Sequence, residues 1–194
     1  MSVATRDAGY KSSRFKLKIR VGFLIHYPFF MENFMETGKF YFIKDDYFDF
    51  FKDQRLMINK GKNHKRPCFF AFKDGNYDIY WLVPLSTRVE KYKRIYNEKV
   101  KRNGKCESIY FCKLKEQERA FLIQNMLPVT DEFIDSEYRC YSNNILKLKK
   151  NDENMIIIKA KKLLNIQKMG RNVILNSCLE IEKELIKMLN VKNK

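Results

Sequence analysis

Two aromatic, apolar runs, Cys68–Lys73 and 77–84, stand either side of Asp74-Gly75-Asn76, and they constrain the fold more than any other feature of the chain. Each has the length of a strand, and Gly and Asn tolerate positive φ in the turn between them, so the segment predicts an antiparallel hairpin. Pro84-Leu85 closes its second strand. Upstream, Phe40–Ile43 forms a short β-rich run, and Asp45-Asp46 open an amphipathic stretch with Tyr47, Phe48, Phe50 and Phe51, which predicts a strand followed by a helix. Downstream, Ser86-Thr87 is positioned as an N-cap with Glu90 as its capping-box partner, ahead of a helix over 88–102. Segments 108–114 and 119–124 read as a second strand pair, 126–129 continues the sheet or leaves it, and 138–141 reads as a further strand. Apolar spacing gives two C-terminal helices, 151–167 and 171–189, separated by Gly170. The resulting class is α+β: a curved antiparallel sheet with helices packed at its ends.

Charge narrows the function. Of 194 residues, 39 are Lys or Arg and 23 are Asp or Glu, a net +16, so the protein should bind nucleic acid at low salt. With 45% hydrophobic and 14% aromatic residues, disorder throughout and low-complexity classes are excluded. The five cysteines, Cys68, Cys106, Cys112, Cys140 and Cys178, form no C-x-x-C pair and read as reduced thiols of a cytoplasmic protein. With only His26 and His64 beside them, neither a zinc site nor a two-histidine ribonuclease is readily assembled, and no metal or cofactor is expected. Residues 1–20 carry six cations against Asp7, followed by an apolar run over 21–31. That run is interrupted by His26, Tyr27 and Pro28, lacks a small-residue cleavage site and is too short to span a bilayer. Residues 1–37 are therefore expected to be a poorly ordered extension without stable membrane association, and 38–194 the functional domain. Deletion of 1–34 should leave folding and activity intact.

The remaining basic residues are concentrated in two places. Segment 55–66 holds Arg55, Lys60, Lys62, Lys65 and Arg66 with no acid, and 88–102 holds seven cations against Glu90 and Glu98, each a net +5. A hairpin returns the end of its second strand to where its first began, so the two segments converge and can line one groove. Tyr41, Tyr47, Phe69 and Tyr92 lie close by in sequence and read either as core residues or as platforms that stack on unpaired bases.

Three patches then carry a family resemblance. They are Lys39-Phe40-Tyr41 with Tyr47 six residues on; Arg66-Pro67-Cys68-Phe69 through to Val83-Pro84-Leu85-Ser86-Thr87; and Phe121-Leu122-Ile123-Gln124-Asn125-Met126-Leu127-Pro128-Val129. In this order the chain resembles the endoribonuclease toxins of type III toxin–antitoxin systems, the ToxN/AbiQ/CptN family, and looks most like the CptN branch. The resemblance covers about residues 38–190. It implies a Kid/MazF-like (SH3-like) twisted antiparallel barrel with flanking helices. It also implies a small repeat-derived, pseudoknot-like antitoxin RNA bound over the active groove in a cyclic toxin–RNA hetero-oligomer, an A-rich mRNA substrate, and a role in phage defence by abortive infection. Where ToxN-like members continue after the Ser/Thr pair with Pro-Lys, this chain has Arg88-Val89, and its next lysine is Lys91.

Metal-independent RNA cleavage requires attack of a ribose 2′-OH on phosphorus, a proton acceptor, charge stabilisation and a proton for the leaving 5′-oxygen. Ser86 and Thr87 at a helix N-terminus supply hydroxyls beside open N–H groups, with Arg88 or Lys91 adding charge. Arg66, or Lys65 beside it, corresponds roughly to the family's loop lysine, and the resemblance implies that it holds the phosphate from the opposite wall. His64 is a possible acid or base, or a plain loop residue. Ser86, Thr87, Arg66 and Lys91 are thus the catalytic candidates; Tyr41, Tyr47, Lys60, Lys62, His64, Lys65, Arg88, Lys93 and Arg94 are the RNA-binding ones. The competing class is a non-catalytic basic RNA- or DNA-binding regulatory module.

Overall fold

The computed structural model describes residues 35–59, 65–139 and 146–192. In chain order the elements are β1 (Phe40–Ile43), α1 (Asp45–Phe51), β2 (Cys68–Lys73), β3 (Tyr80–Ser86), α2 (Val89–Asn103), β4 (Tyr110–Leu114), β5 (Gln117–Phe121), β6 (Leu127–Val129), β7 (Ile134–Glu137), α3 (Lys150–Lys168) and α4 (Cys178–Lys192), with 3₁₀ turns at Ile123–Asn125 and Asp131–Phe133. The strands pair antiparallel in the order β4-β5-β3-β2-β1-β7, and β6 joins β3 off that path. This is the α+β class expected.

The central hairpin is apolar over Cys68–Phe72 and Tyr80–Leu85 because both of its faces are covered. Phe69, Ala71, Trp81 and Val83 pack with Ile156, Ala160 and Leu163 of α3, whereas Cys68, Phe70, Tyr80 and Leu82 pack with Ile181 and Leu185 of α4. Each fully buried Phe or Leu contributes about 1.5–3 kcal/mol relative to an exposed one. A third, smaller cluster joins Tyr92 of α2 to Ile109, Ala120 and Leu122. No helix among the described residues is long and apolar enough to cross a membrane.

Several expectations need correction. The sheet is an open path, with β4 and β7 at its edges and no ladder between them among the described residues, so the closed barrel is not formed. The hairpin turn is longer than expected: Asp74 N–H donates to the Ile79 carbonyl at 2.8 Å and Asn76 N–H to the Asp74 carboxylate at 3.0 Å. That Asx turn needs no positive φ, and neither Gly75 nor Asn76 adopts one. Of the strand expected at 138–141, residues 140–141 lie outside the described residues; β7 forms just before it, where Tyr41 and Phe42 of β1 pair with Glu137 and Ser136. The last helix begins at Cys178 rather than 171. Its apolar periodicity runs on into a connector that is bonded elsewhere: Val173 and Ile174 N–H to Gln167 Oε1, Leu175 N–H to the Gln124 carbonyl, and Asn176 Nδ2 to the Asn125 and Met126 carbonyls. Gly170 breaks the chain as expected, at φ +85°.

Two carboxylates clamp this frame. Burial alone would raise Asp53, but the N–H groups of Ser177 and Arg55 and the Arg55 guanidinium hold it at about 2; Lys159 and Lys162 hold Glu107 at about 2. Both groups bind protons less readily folded than at their ordinary values of 3.8 and 4.5, so each contributes stability above about pH 4.5 that is lost as pH falls toward 2. Melting temperature should therefore drop steeply over that window, and Glu107→Gln should flatten part of the drop. An unchanged profile would show that the Glu107 clamp is unimportant.

Candidate active site

The register of the hairpin decides what meets at its open end. Cys68 faces Pro84, and Leu85 N–H donates to the Pro67 carbonyl at 3.1 Å, which carries Arg66 to the end of β3. There Arg66 Nη1 donates to the Leu85 carbonyl at 2.8 Å, one residue before Ser86. Its Nε is buried without a partner among the described residues. Arg66 is held from behind as well: its backbone N–H donates to Asn59 Oδ1 at 2.9 Å. The buried Asn59 amide in turn donates to the Ile43 carbonyl at 2.9 Å and to Asp45 Oδ1 at 2.8 Å. One asparagine thus ties the junction of β1 and α1 to the arginine at the hairpin's end.

Ser86 is a strand residue, paired with Ala120 of β5 and buried. This corrects the capping-box expectation. The ladder holds the chain extended through Ser86, so α2 starts at Val89 with Arg88 as its N-cap and no side-chain cap. Ser86 Oγ instead accepts the Arg88 N–H at 3.2 Å. The first helical bond is Tyr92 N–H to the Arg88 carbonyl at 3.3 Å, which leaves the opening N–H groups of α2 uncapped beside the exposed Thr87. Lys91 lies exposed in that first turn, its ammonium 5.7 Å from the Tyr92 ring centroid. Ser86, Thr87, Arg66, Arg88 and the start of α2 therefore share one corner of the sheet.

The other candidates divide. Lys65 pairs with Asp135 at 2.7 Å and holds that carboxyl below its ordinary value; Lys93 pairs with Glu118 at 2.7 Å and Glu90 at 3.4 Å. Both are partly neutralised before any RNA arrives. Arg94 is exposed on α2 with no carboxylate partner among the described residues, and Lys60, Lys62 and His64 lie outside the described residues.

Of the two readings open to the aromatics, burial gives the core one. Tyr47 is fully buried, its hydroxyl donating to the Pro128 carbonyl at 2.8 Å and its ring set against Phe48, Phe51 and Phe133. Tyr41 is buried against Phe70 and its hydroxyl accepts the Glu36 N–H at 2.9 Å; Phe69 and Tyr92 are buried too. None of the four offers a face to a base, because β1, α1 and the hairpin need these rings as core.

A cleft of about 560 Å³ opens elsewhere, between the end of α1 and the start of α4, lined by residues that include Lys52, Asp53, Arg55 and Glu180. Asp53 spans it to bond the Ser177 N–H at 2.7 Å, and with Glu180 it makes the cleft a poor receptor for a phosphate. Asn59 is the site residue that sequence reasoning missed. Its only signal was position, an uncharged residue inside a basic segment.

The architecture, an antiparallel sheet flanked by helices, has solved counterparts. It is similar to the structure of AbiQ, described as a lactococcal anti-phage endoribonuclease belonging to the type III toxin–antitoxin system, at a TM-score of 0.54 and 14% sequence identity over 77% of this chain and 96% of that one. No protein-family model matches the sequence, and no curated protein matches it.

Proposed function

We propose that the protein is a metal-independent endoribonuclease toxin of a type III toxin–antitoxin system. The observation that carries this reading is the contact of Arg66 with the Leu85 carbonyl, which sets a guanidinium beside Ser86, Thr87 and an uncapped helix N-terminus. The fold shared with AbiQ supports the same reading. In this arrangement the scissile phosphate sits over the first N–H groups of α2, where the positive end of the helix dipole favours an anion. The Thr87 hydroxyl and the charge of Arg66, Arg88 and Lys91 stabilise the extra negative charge as the 2′-oxygen attacks phosphorus. The 2′-OH loses its proton as the P–O2′ bond forms, the P–O5′ bond breaks and the 5′-oxygen takes up a proton in its place, so that the products end in a 2′,3′-cyclic phosphate and a 5′-hydroxyl with no net change in protons. Antitoxin RNA lying across the same corner inhibits by overlap.

Incubation of the purified protein with total RNA in EDTA, followed by mapping of both ends, tests activity and metal independence together. Discrete cuts with cyclic phosphate ends are expected, at A-rich sites. RNA that is bound and left intact, with and without added divalent ions, would sink the reading in favour of a non-catalytic basic RNA-binding module.

A further inference from the structure

The cations of α2 fall into two sets that the sequence does not separate. Lys93 is paired with Glu90 and Glu118, and the half-buried Lys99 donates to Ser108 Oγ at 2.8 Å and Gln124 Oε1 at 2.6 Å, pinning the helix to the sheet. Arg88 at the helix N-cap and Lys91, Arg94, Lys101 and Arg102 are all exposed, and none meets a carboxylate among the described residues. At 3.6 residues per turn, Lys91, Arg94, Lys101 and Arg102 fall within a sector about 100° wide, opposite the Tyr92, Tyr96 and Val100 face, and only Glu98 interrupts them. From Lys91 to Arg102 the stripe runs about 17 Å along the helix.

Helix physics opposes half of this arrangement. Lys101 and Arg102 in the last turn complement the helix dipole, but Arg88 and Lys91 sit at its positive end, and Arg88–Lys91 and Lys91–Arg94 are like-charge neighbours three residues apart. A polyanion lying along the stripe relieves both penalties. One end of the stripe is the Ser86–Thr87 corner, so the same anion would reach the proposed scissile position.

We infer that the substrate strand is threaded along α2: the phosphates flanking the cut lie on Lys91 and Arg94, and those further along the strand lie on Lys101 and Arg102. The inference rests on the reading of the corner as an RNA-cleaving site. It adds a partner of defined form, an extended single strand spanning about four nucleotides, near the lower end of single-strand site sizes. The track meets backbone charge, and the ring nearest Lys91, that of Tyr92, is buried.

Binding of RNAs uncleavable through 2′-O-methylation, about 2 and about 12 nucleotides long, tests it by fluorescence anisotropy. The double variant Lys101→Gln/Arg102→Gln should weaken the longer RNA about tenfold at physiological salt and lower its salt slope by about 1.4, at roughly 0.7 per single-strand phosphate. It should leave the shorter RNA, which ends before these residues, within about twofold. The charge-matched Lys183→Gln/Lys187→Gln on α4 should change neither. Equal losses for both lengths, equal losses for the two double variants, or an unchanged longer RNA would overturn the inference. So would weakened binding of a folded repeat RNA with the linear strand unaffected, since the stripe would then serve the inhibitor. Length-dependent binding by a wild type that cleaves nothing would uphold the track and sink the nuclease reading alone.

Discussion

Thr87→Ala is expected to lower the rate of RNA cleavage about 10²-fold while leaving the melting temperature and RNA affinity almost unchanged. Thr87 is exposed and has no side-chain partner among the described residues, and surface substitutions of that kind move stability by no more than about 0.5 kcal/mol. Its loss should therefore appear in kcat alone, as for a group that meets charge developing in the transition state. Ser86→Ala should behave differently. Ser86 is buried and its hydroxyl satisfies the Arg88 N–H, so alanine removes a bond resembling a helix cap, worth about 1 kcal/mol, and loosens the turn that presents Thr87. A drop in both stability and kcat is expected. The double variant should be little slower than the worse single one, because both act at one phosphate. Growth inhibition is the simplest readout. Undiminished toxicity of both single variants and the double variant would remove the Ser86–Thr87 turn from the site.

Much of this was readable from residue order, and the failures share a cause. The hairpin, α1, α2, α3 and the break at Gly170 followed from local patterns: apolar runs of strand length, 3.6-residue periodicity and one left-handed glycine. What misled were positions whose role is set by distant partners. The connector 171–177 has helical periodicity, but Gln124, Asn125, Met126 and Gln167 claim its polar groups. Tyr41 and Tyr47 have the composition of a stacking platform and the environment of a core, and only the packing of Phe70 and Phe133 distinguishes the two. Lys65 and Lys93 count equally with Arg66 and Arg94 in a charge tally, whereas Asp135 and Glu118 remove them from it. At the site itself, the arrival of Arg66 at the end of β3 was legible from topology, because the hairpin returns Leu85 to Pro67. The means of holding it was not, because Asn59 acts through bonds to residues 7, 14 and 16 positions away.

That anchoring gives the largest expected effect. Arg66→Ala should reduce cleavage about 10³-fold, because it removes a guanidinium beside the phosphate and leaves the Leu85 carbonyl without its Arg66 donor. Arg66→Lys should recover only a small part, since an ammonium is a point charge on a flexible stem and cannot hold the carbonyl and a phosphate with the planar fork of arginine. Asn59→Ala touches no substrate in this arrangement, yet it frees the Arg66 N–H and unties α1's first residue. A loss of about 10–30-fold in kcat is expected, with RNA affinity nearly kept. The diagnostic quantity is the coupling. If Asn59 acts by positioning Arg66, then once Arg66 is alanine, Asn59→Ala should cost almost nothing further, whereas independent contributions would multiply. A double variant slower than Arg66→Ala by the full factor seen for Asn59→Ala alone would mean that Asn59 supports the site by some other route, and Asp45, whose carboxylate it also bonds, would be the next group to test.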